Sequence, residues 1–267
     1  MIPIGDNNPR GSRPWVTYAI IAANLGVFLF MLSLSREVAP GRLQQRGEFI
    51  DQTSGECYGF RTLPTDADRF ICRYGFQPRE FLETVQGESR ATNPDVMLVI
   101  LSIVTSAFLH GGWLHILGNM LFLWVFGDNI EDRLGRMRYS LFYILGAGVA
   151  ALIQGLVDPE SVVPTIGASG AVAAVLGAYL IWFPRAKVRA IIPMVWLILV
   201  PFRIPAIVMI GLWFVQNLLA GYATITNAMT ADAGVAWFAH IGGFLFGVVI
   251  ALVLRRPPRR LRRAFQG

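Results

Sequence analysis

The chain has 267 residues, 54% hydrophobic and only 15% charged, where soluble domains run at roughly 45–50% apolar and about 25% charged. That balance excludes an ordinary water-soluble domain. The formal charge of +6 is no sign of nucleic-acid binding, because six arginines (Arg255, Arg256, Arg259, Arg260, Arg262 and Arg263) crowd into the tail directly after an apolar run, a placement that fixes topology and meets anionic lipid.

A bilayer crossing takes about 20 apolar residues, and uncharged runs of that order recur along the chain. Residues 1–14, MIPIGDNNPRGSRP, are polar and Pro-rich. The apolar run behind them has no small-residue cleavage site before Arg36, so it reads as a retained first span from Trp15 to Leu34 rather than a cleavable leader. Residues 35–95 follow as an external loop holding eight basic and ten acidic residues and the only two cysteines, Cys57 and Cys72. An oxidising outer compartment would permit a disulfide between them; two free thiols is the alternative.

The next run, 96–127, is uncharged throughout and too long for one crossing. Gly111-Gly112 is its natural break, so the region of about 96–112 is expected to be an embedded or interfacial segment, and 113–127 the second span. GDNIEDRLGRMR then reads as a solvated inner loop. Runs 139–157, 162–183, 204–222 and 233–254 supply four more spans, whereas 190–202 is short, carries two prolines and is not counted. The expectation is an all-α polytopic membrane protein, a six-helix core over 15–255 between a cytoplasmic 1–14 and a basic cytoplasmic tail, 256–267. Basic residues number two before the first span, three in 127–138, four in 184–203 and six in the tail, but none near Asp158 or Asp232. The 35–95 loop is long enough to be exempt, so both termini face the cytoplasm under the positive-inside rule.

Ionisable groups inside spans are costly and mark function. All three histidines fall in or beside the apolar runs: His110 and His115 in FLHGGWLHILGNM, and His240 in AWFAHIGGFLFG. Asn119 lies four residues after His115, on the same helical face. Counting back from Asp128, Pro184 and Arg255 at roughly 1.5 Å per residue places His115, Ser169 and His240 in one stratum, about 20–23 Å above the inner boundary. Gly170, Ala174, Gly177 and Ala178 form a small face on the fourth span, and Gly243, Gly247 and Ala251 another on the sixth. Such faces let membrane helices approach closely. If these two meet, Ser169 and His240 stand at one height on touching helices, the arrangement of a serine activated by a histidine base. A helix starting at Ser169 also offers unpaired N–H groups and its positive dipole end to a developing oxyanion. Taken singly the same residues have blander readings: Ser169 as helix packing, Asn119 as interhelical glue, His110 as a structural hydrogen-bonding group.

The GASG motif at residues 167–170, H-x-x-x-N within HGGWLHILGNMLFLWVFGDNIEDRLG, and AHIGGFLFG on the last span together resemble the rhomboid family of intramembrane serine proteases, of the bacterial, six-span type. The resemblance covers about residues 14–255. It implies a Ser–His dyad without a catalytic aspartate, with Ser169 as nucleophile, His240 as general base, and His115 and Asn119 as oxyanion-hole side chains. It implies endopeptidase cleavage of transmembrane protein substrates near the outer surface, with no cofactor and no metal, in a bacterial cytoplasmic (inner) membrane. Where some members carry an aromatic one turn after the serine, this chain has Ala173. The rivals are a non-catalytic relative that binds client transmembrane helices, and a transporter or metal site built from the three histidines. The latter lacks any membrane-embedded carboxylate or thiol to accompany them.

Overall fold

The computed structural model describes residues 1–9, 11–34, 58, 65–87, 95–193, 199–226 and 235–254. The chain opens with a strand, β1 (Ile2–Asp6), before the apolar helix α1 (Trp15–Leu34). The first turn of α1 has no acidic residue of its own. The carboxylate of Glu131 serves it instead, accepting from Val16 N at 3.0 Å, Thr17 N at 2.7 Å and Thr17 Oγ1 at 2.8 Å. A negative group at a helix start satisfies orphan N–H donors and complements the dipole.

Two short helices follow, α2 (Asp66–Tyr74) and α3 (Pro78–Gln86). The first is opened by a reciprocal cap between Thr65 and Asp68, and the second by proline in its first turn. Next come α4 (Val96–Thr105), a 3₁₀ turn at Ser106–Phe108, and α5 (Trp113–Leu134). The chain breaks at Leu109–Gly112, and α5 leaves α4 at 80°.

The expected solvated loop after Gly127 is instead the last two turns of α5, with Asn129, Ile130 and Glu131 buried. The reason lies in partners far away in sequence. Besides Glu131, Asn129 bonds Asn8 at 2.6 Å and Asp6 at 3.0 Å, and Asp132 accepts from Gly11 N and Ser12 Oγ. Asn129 and Glu131 hold the N-terminal segment from buried positions, and Asp132 does so from the exposed face of the helix.

The remaining helices are α6 (Arg136–Val157), α7 (Ser169–Trp182), α8 (Ala206–Thr226) and α9 (Trp237–Val253). Helices α1, α6 and α8 are long and apolar enough to cross a membrane, α4 with α5 forms a bent pair that counts as a fourth, and α7 and α9 are shorter apolar helices. The chain is a mainly α-helical, polytopic membrane fold. Between α7 and α8, where no element is expected, lie β2 (Lys187–Pro193) and β3 (Leu199–Pro205), which form a three-stranded antiparallel sheet in the order β1-β2-β3. Buried Val188 and Ala190 alternate with exposed Lys187 and Arg189, the period of a half-buried strand. The prolines sit at strand ends or in the outer strand, where a missing N–H costs least.

At the centre is α7. Every residue from Gly170 to Tyr179 is buried, as an apolar helix without a polar face requires. It packs against α9, α6 and α5. The contact with α9 is backbone on backbone: a Cβ on Gly243 would fall on the Gly170 carbonyl, one on Gly247 on the Ala174 carbonyl, and one on Gly177 on the Phe244 carbonyl. At the far end of α7, Trp182 Nε1 donates to Ala251 O at 3.0 Å.

Candidate active site

Ser169 is the first residue of α7 and is half-buried. The preceding Ala168 makes no side-chain cap, and the first intrahelical bond runs from Val172 N to Ala168 O at 2.9 Å. The N–H groups of the first turn are thus the orphan donors of a helix start. The approach to this turn is fixed by Gly167, at φ +119°, whose N–H donates to Ser106 O at 2.9 Å.

His240 lies in the first turn of α9. The small faces of α7 and α9 meet within a residue of both groups: a Cβ on Gly170 would lie 3.7 Å from Ala239 O. Gln154 on α6 accepts from Ala239 N at 3.2 Å, and Ile153 fills the space beside Gly242, so α6 sets the height at which α9 begins. The His240 ring contacts two tryptophans, Trp213 at 5.9 Å between centroids and tilted by 34°, and Trp237 at 6.0 Å and edge-on. Its Nδ1 is 2.7 Å from Asn217 Oδ1 on α8.

Behind Gly167 stand His115 and Asn119, both on the first turns of α5. A Cβ at Gly167 would lie 2.5 Å from His115 Nε2 and 3.7 Å from Asn119 Nδ2. His110, in the break before α5, is buried at 1% exposure. Its Nε2 faces Asn119 Nδ2 at 3.2 Å and accepts from Ala168 N at 3.4 Å, and its ring meets His115 edge-on at 5.0 Å. One hydrogen of the Asn119 amide is thereby committed to His110, and the other is left for a neighbour. The three histidines, Asn119 and Ser169 therefore gather around the start of α7. A hydroxyl at an uncapped helix start, one residue from the closest approach of the helix that carries His240 and with His115 and Asn119 nitrogens behind the preceding glycine, has the kinds of group needed for nucleophilic attack on a carbonyl and for holding the resulting oxyanion.

The segment leading into Ser169 is clamped from outside. Phe76 and Thr165 exchange backbone bonds at 3.1 and 2.8 Å, and Arg79 N donates to Ser161 O at 3.0 Å. The Gln77 amide donates to Tyr58 O at 3.0 Å and to Val162 O. Cys72 is buried nearby and is disulfide-bonded; Cys57 and the tail arginines Arg255 to Arg263 lie outside the described residues. Among the described residues, no group of three or more His, Cys, Asp and Glu side chains is placed to hold a metal ion.

Sequence reasoning did not find Asn217, Trp213, Trp237 or Gln154. Two of them left a signal. Trp237 precedes His240 by three residues, a same-face spacing, and Asn217 is a polar side chain within the apolar run 204–222.

Comparison with known proteins bears on this arrangement. Residues 99–257, which include every one of these site residues from His110 to His240, match the family model described as Rhomboid domain. RHOMBOID-like protein 1 of Arabidopsis thaliana is 26% identical over 261 residues, covering 91% of this chain and 54% of that protein. Rhomboid protein 1, mitochondrial, of Saccharomyces cerevisiae is 31% identical over 174 residues, covering 61% of this chain and 44% of that protein. Presenilin-associated rhomboid-like protein A, mitochondrial, of Danio rerio is 28% identical over 159 residues, covering 59% and 38% respectively. The chain spans about half the length of the curated relatives it matches. Since the family model takes in more than half of the chain, the protein belongs to the rhomboid family.

Proposed function

We propose that the chain is an intramembrane serine endopeptidase that hydrolyses peptide bonds in or near transmembrane segments of membrane-protein substrates. The observation that carries this reading is the backbone contact of α7 with α9 beside Ser169 and His240. Ser169 Oγ attacks the substrate carbonyl, and His240 takes its proton and returns it to the leaving amine. The oxyanion is held by first-turn N–H groups of α7 with His115 and Asn119. Water then hydrolyses the acyl-enzyme, with His240 again the base. Both termini are proposed to lie in the cytoplasm, on the strength of the basic-residue count.

The test compares wild type, Ser169→Ala and His240→Ala in lipid, with a serine-directed fluorophosphonate and a single-span model substrate. Labelling and cleavage are expected to vanish in Ser169→Ala, and the rate to fall by about 10²–10⁴ in His240→Ala, the span of a general base. Cleavage surviving in Ser169→Ala overturns the assignment. A wild type that neither labels nor cleaves but retains single-span helices moves the chain to the client-binding class.

A further inference from the structure

We propose that Asn217 is a positioning residue for His240, fixing both the ring orientation and the tautomer from a helix that carries neither member of the dyad. Asn217 is buried at 2% exposure on the inner side of α8. Its amide orientation follows from its two partners. Nδ2 donates to Trp213 O at 2.7 Å, one turn back on the same helix, so the amide oxygen is the atom turned toward His240 Nδ1, 2.7 Å away. A carbonyl oxygen only accepts. The proton on a neutral His240 is therefore on Nδ1, which donates to Asn217, and Nε2 carries the lone pair needed to accept from a serine hydroxyl. The ring has little freedom to turn away, with Trp213 tilted along one side and Trp237 edge-on at another.

The residue type suits the setting. A carboxylate at this place would also accept from Nδ1–H, but at the cost in stability of a charge among membrane helices. A neutral amide orients the ring without that cost, so Asn217→Asp keeps the positioning contact at a lower thermal midpoint. When His240 becomes imidazolium, the same oxygen accepts the Nδ1–H of a charged donor, which strengthens the bond. Asn217 thus does the orienting that Ala173, one turn after Ser169, has no aromatic ring to do. The catalytic part of this assignment rests on the proteolytic reading above; the hydrogen bond does not.

The experiment uses full-length wild type, Asn217→Leu, Asn217→Asp and Ser169→Ala in lipid. It reads three quantities: the thermal midpoint, the histidine side-chain nitrogens by 15N NMR, and the fluorophosphonate labelling rate with kcat and KM on a model substrate. Only three histidines are present, so His110→Gln and His115→Gln variants assign the spectrum. His240 is expected as the Nδ1–H tautomer in wild type and in Asn217→Asp, and as a mixture in Asn217→Leu. Labelling and kcat should fall about 10- to 100-fold in Asn217→Leu, taking as scale the loss that follows removal of the hydrogen-bond partner of a metal-ligating histidine, with KM unchanged, and Asn217→Asp should restore most of the rate.

Asn217→Leu with wild-type tautomer and rate overturns the proposal. So does an equal loss of rate and of thermal midpoint in Asn217→Leu and Asn217→Asp, which would make the residue structural only. If wild type fails to label while Asn217→Leu still shifts the tautomer, the proteolytic reading falls and the Asn217–His240 bond stands.

Discussion

Gly167 carries two constraints at one position. Its φ of +119° lies where side-chain-bearing residues are strained, at about 1–3 kcal/mol, and a Cβ there would stand 2.5 Å from His115 Nε2. The residue lets the chain turn into α7 while His115 stays pressed against the turn. Gly167→Ala should therefore displace His115 or the first turn of α7 by a fraction of an ångström to an ångström. Misplacement on that scale costs about 10²-fold in rate. The check is fluorophosphonate labelling at equal thermal midpoint: labelling that stays at the wild-type rate would show that the turn and His115 are not coupled. This constraint was half legible beforehand, since GASG announces a close approach but not which side chain approaches. The same holds around His240. Its height opposite Ser169 follows from counting residues along two spans, yet Asn217 is bound to it only through the way α8 leans on α9. No spacing in the sequence relates residues 217 and 240, and an asparagine in a span reads equally well as ordinary interhelical glue.

At the scale of elements, the pairing of α7 with α9 decides whether the site exists. Gly243 and Gly247 on α9 and Gly177 on α7 each sit against a carbonyl of the other helix, so the helices are spaced by backbone rather than by side chains. Gly247→Ala would place its methyl on the Ala174 carbonyl, and the helices would have to separate. Overpacking of this kind costs about 1–3 kcal/mol, and here it also draws His240 away from Ser169. Gly26→Ala on α1 is the matched control, because a Cβ there meets nothing within 4 Å. The expected result is a lower thermal midpoint and lost labelling in Gly247→Ala, with neither change in Gly26→Ala; equal behaviour of the two variants would refute backbone spacing as the organising contact. The meeting of these faces was legible as two small-residue stripes. The sheet was not, because β1 pairs with β2 across most of the chain: Ile2 lies opposite Ile191 and Asp6 opposite Val188. A short apolar run with prolines has no visible partner until the fold supplies one. The last turns of α5 were misread for the same reason, since Glu131 looks solvated until Thr17 is seen to bond it.

For the whole molecule, the helices are held between two layers outside the apolar spans, at opposite ends of α5 and α7. One is the β1-β2-β3 sheet with the N-terminal segment, where Tyr179 near the end of α7 bonds Asp6. The other is α2, α3 and the turn between them, which clamp residues 161–165 just ahead of Ser169 through Phe76 and Gln77 of the turn and Arg79 of α3. The second layer contains a titrating weak point. Burial pushes the Glu80 carboxyl on α3 up from the ordinary 4.5 to about 7. A group whose folded-state pKa is raised contributes stability that is fully present below its unfolded value and is lost as pH rises through the folded one. The clamp layer should thus be most stable below about pH 4.5 with respect to this group, weaken from there to about pH 7, and change little above. Glutamine cannot ionise, so Glu80→Gln should match wild type near pH 4 and melt higher at pH 8, by roughly 2–4 °C for each 1 kcal/mol in a chain of this size. Thermal scans of both proteins in the same lipid across that range provide the check. A gap that does not grow with pH would mean that Glu80 is solvated in the folded protein. A gap that grows in step with the difference in Ser169 labelling rate between the two proteins would further tie the α2–α3 layer to the segment that enters α7.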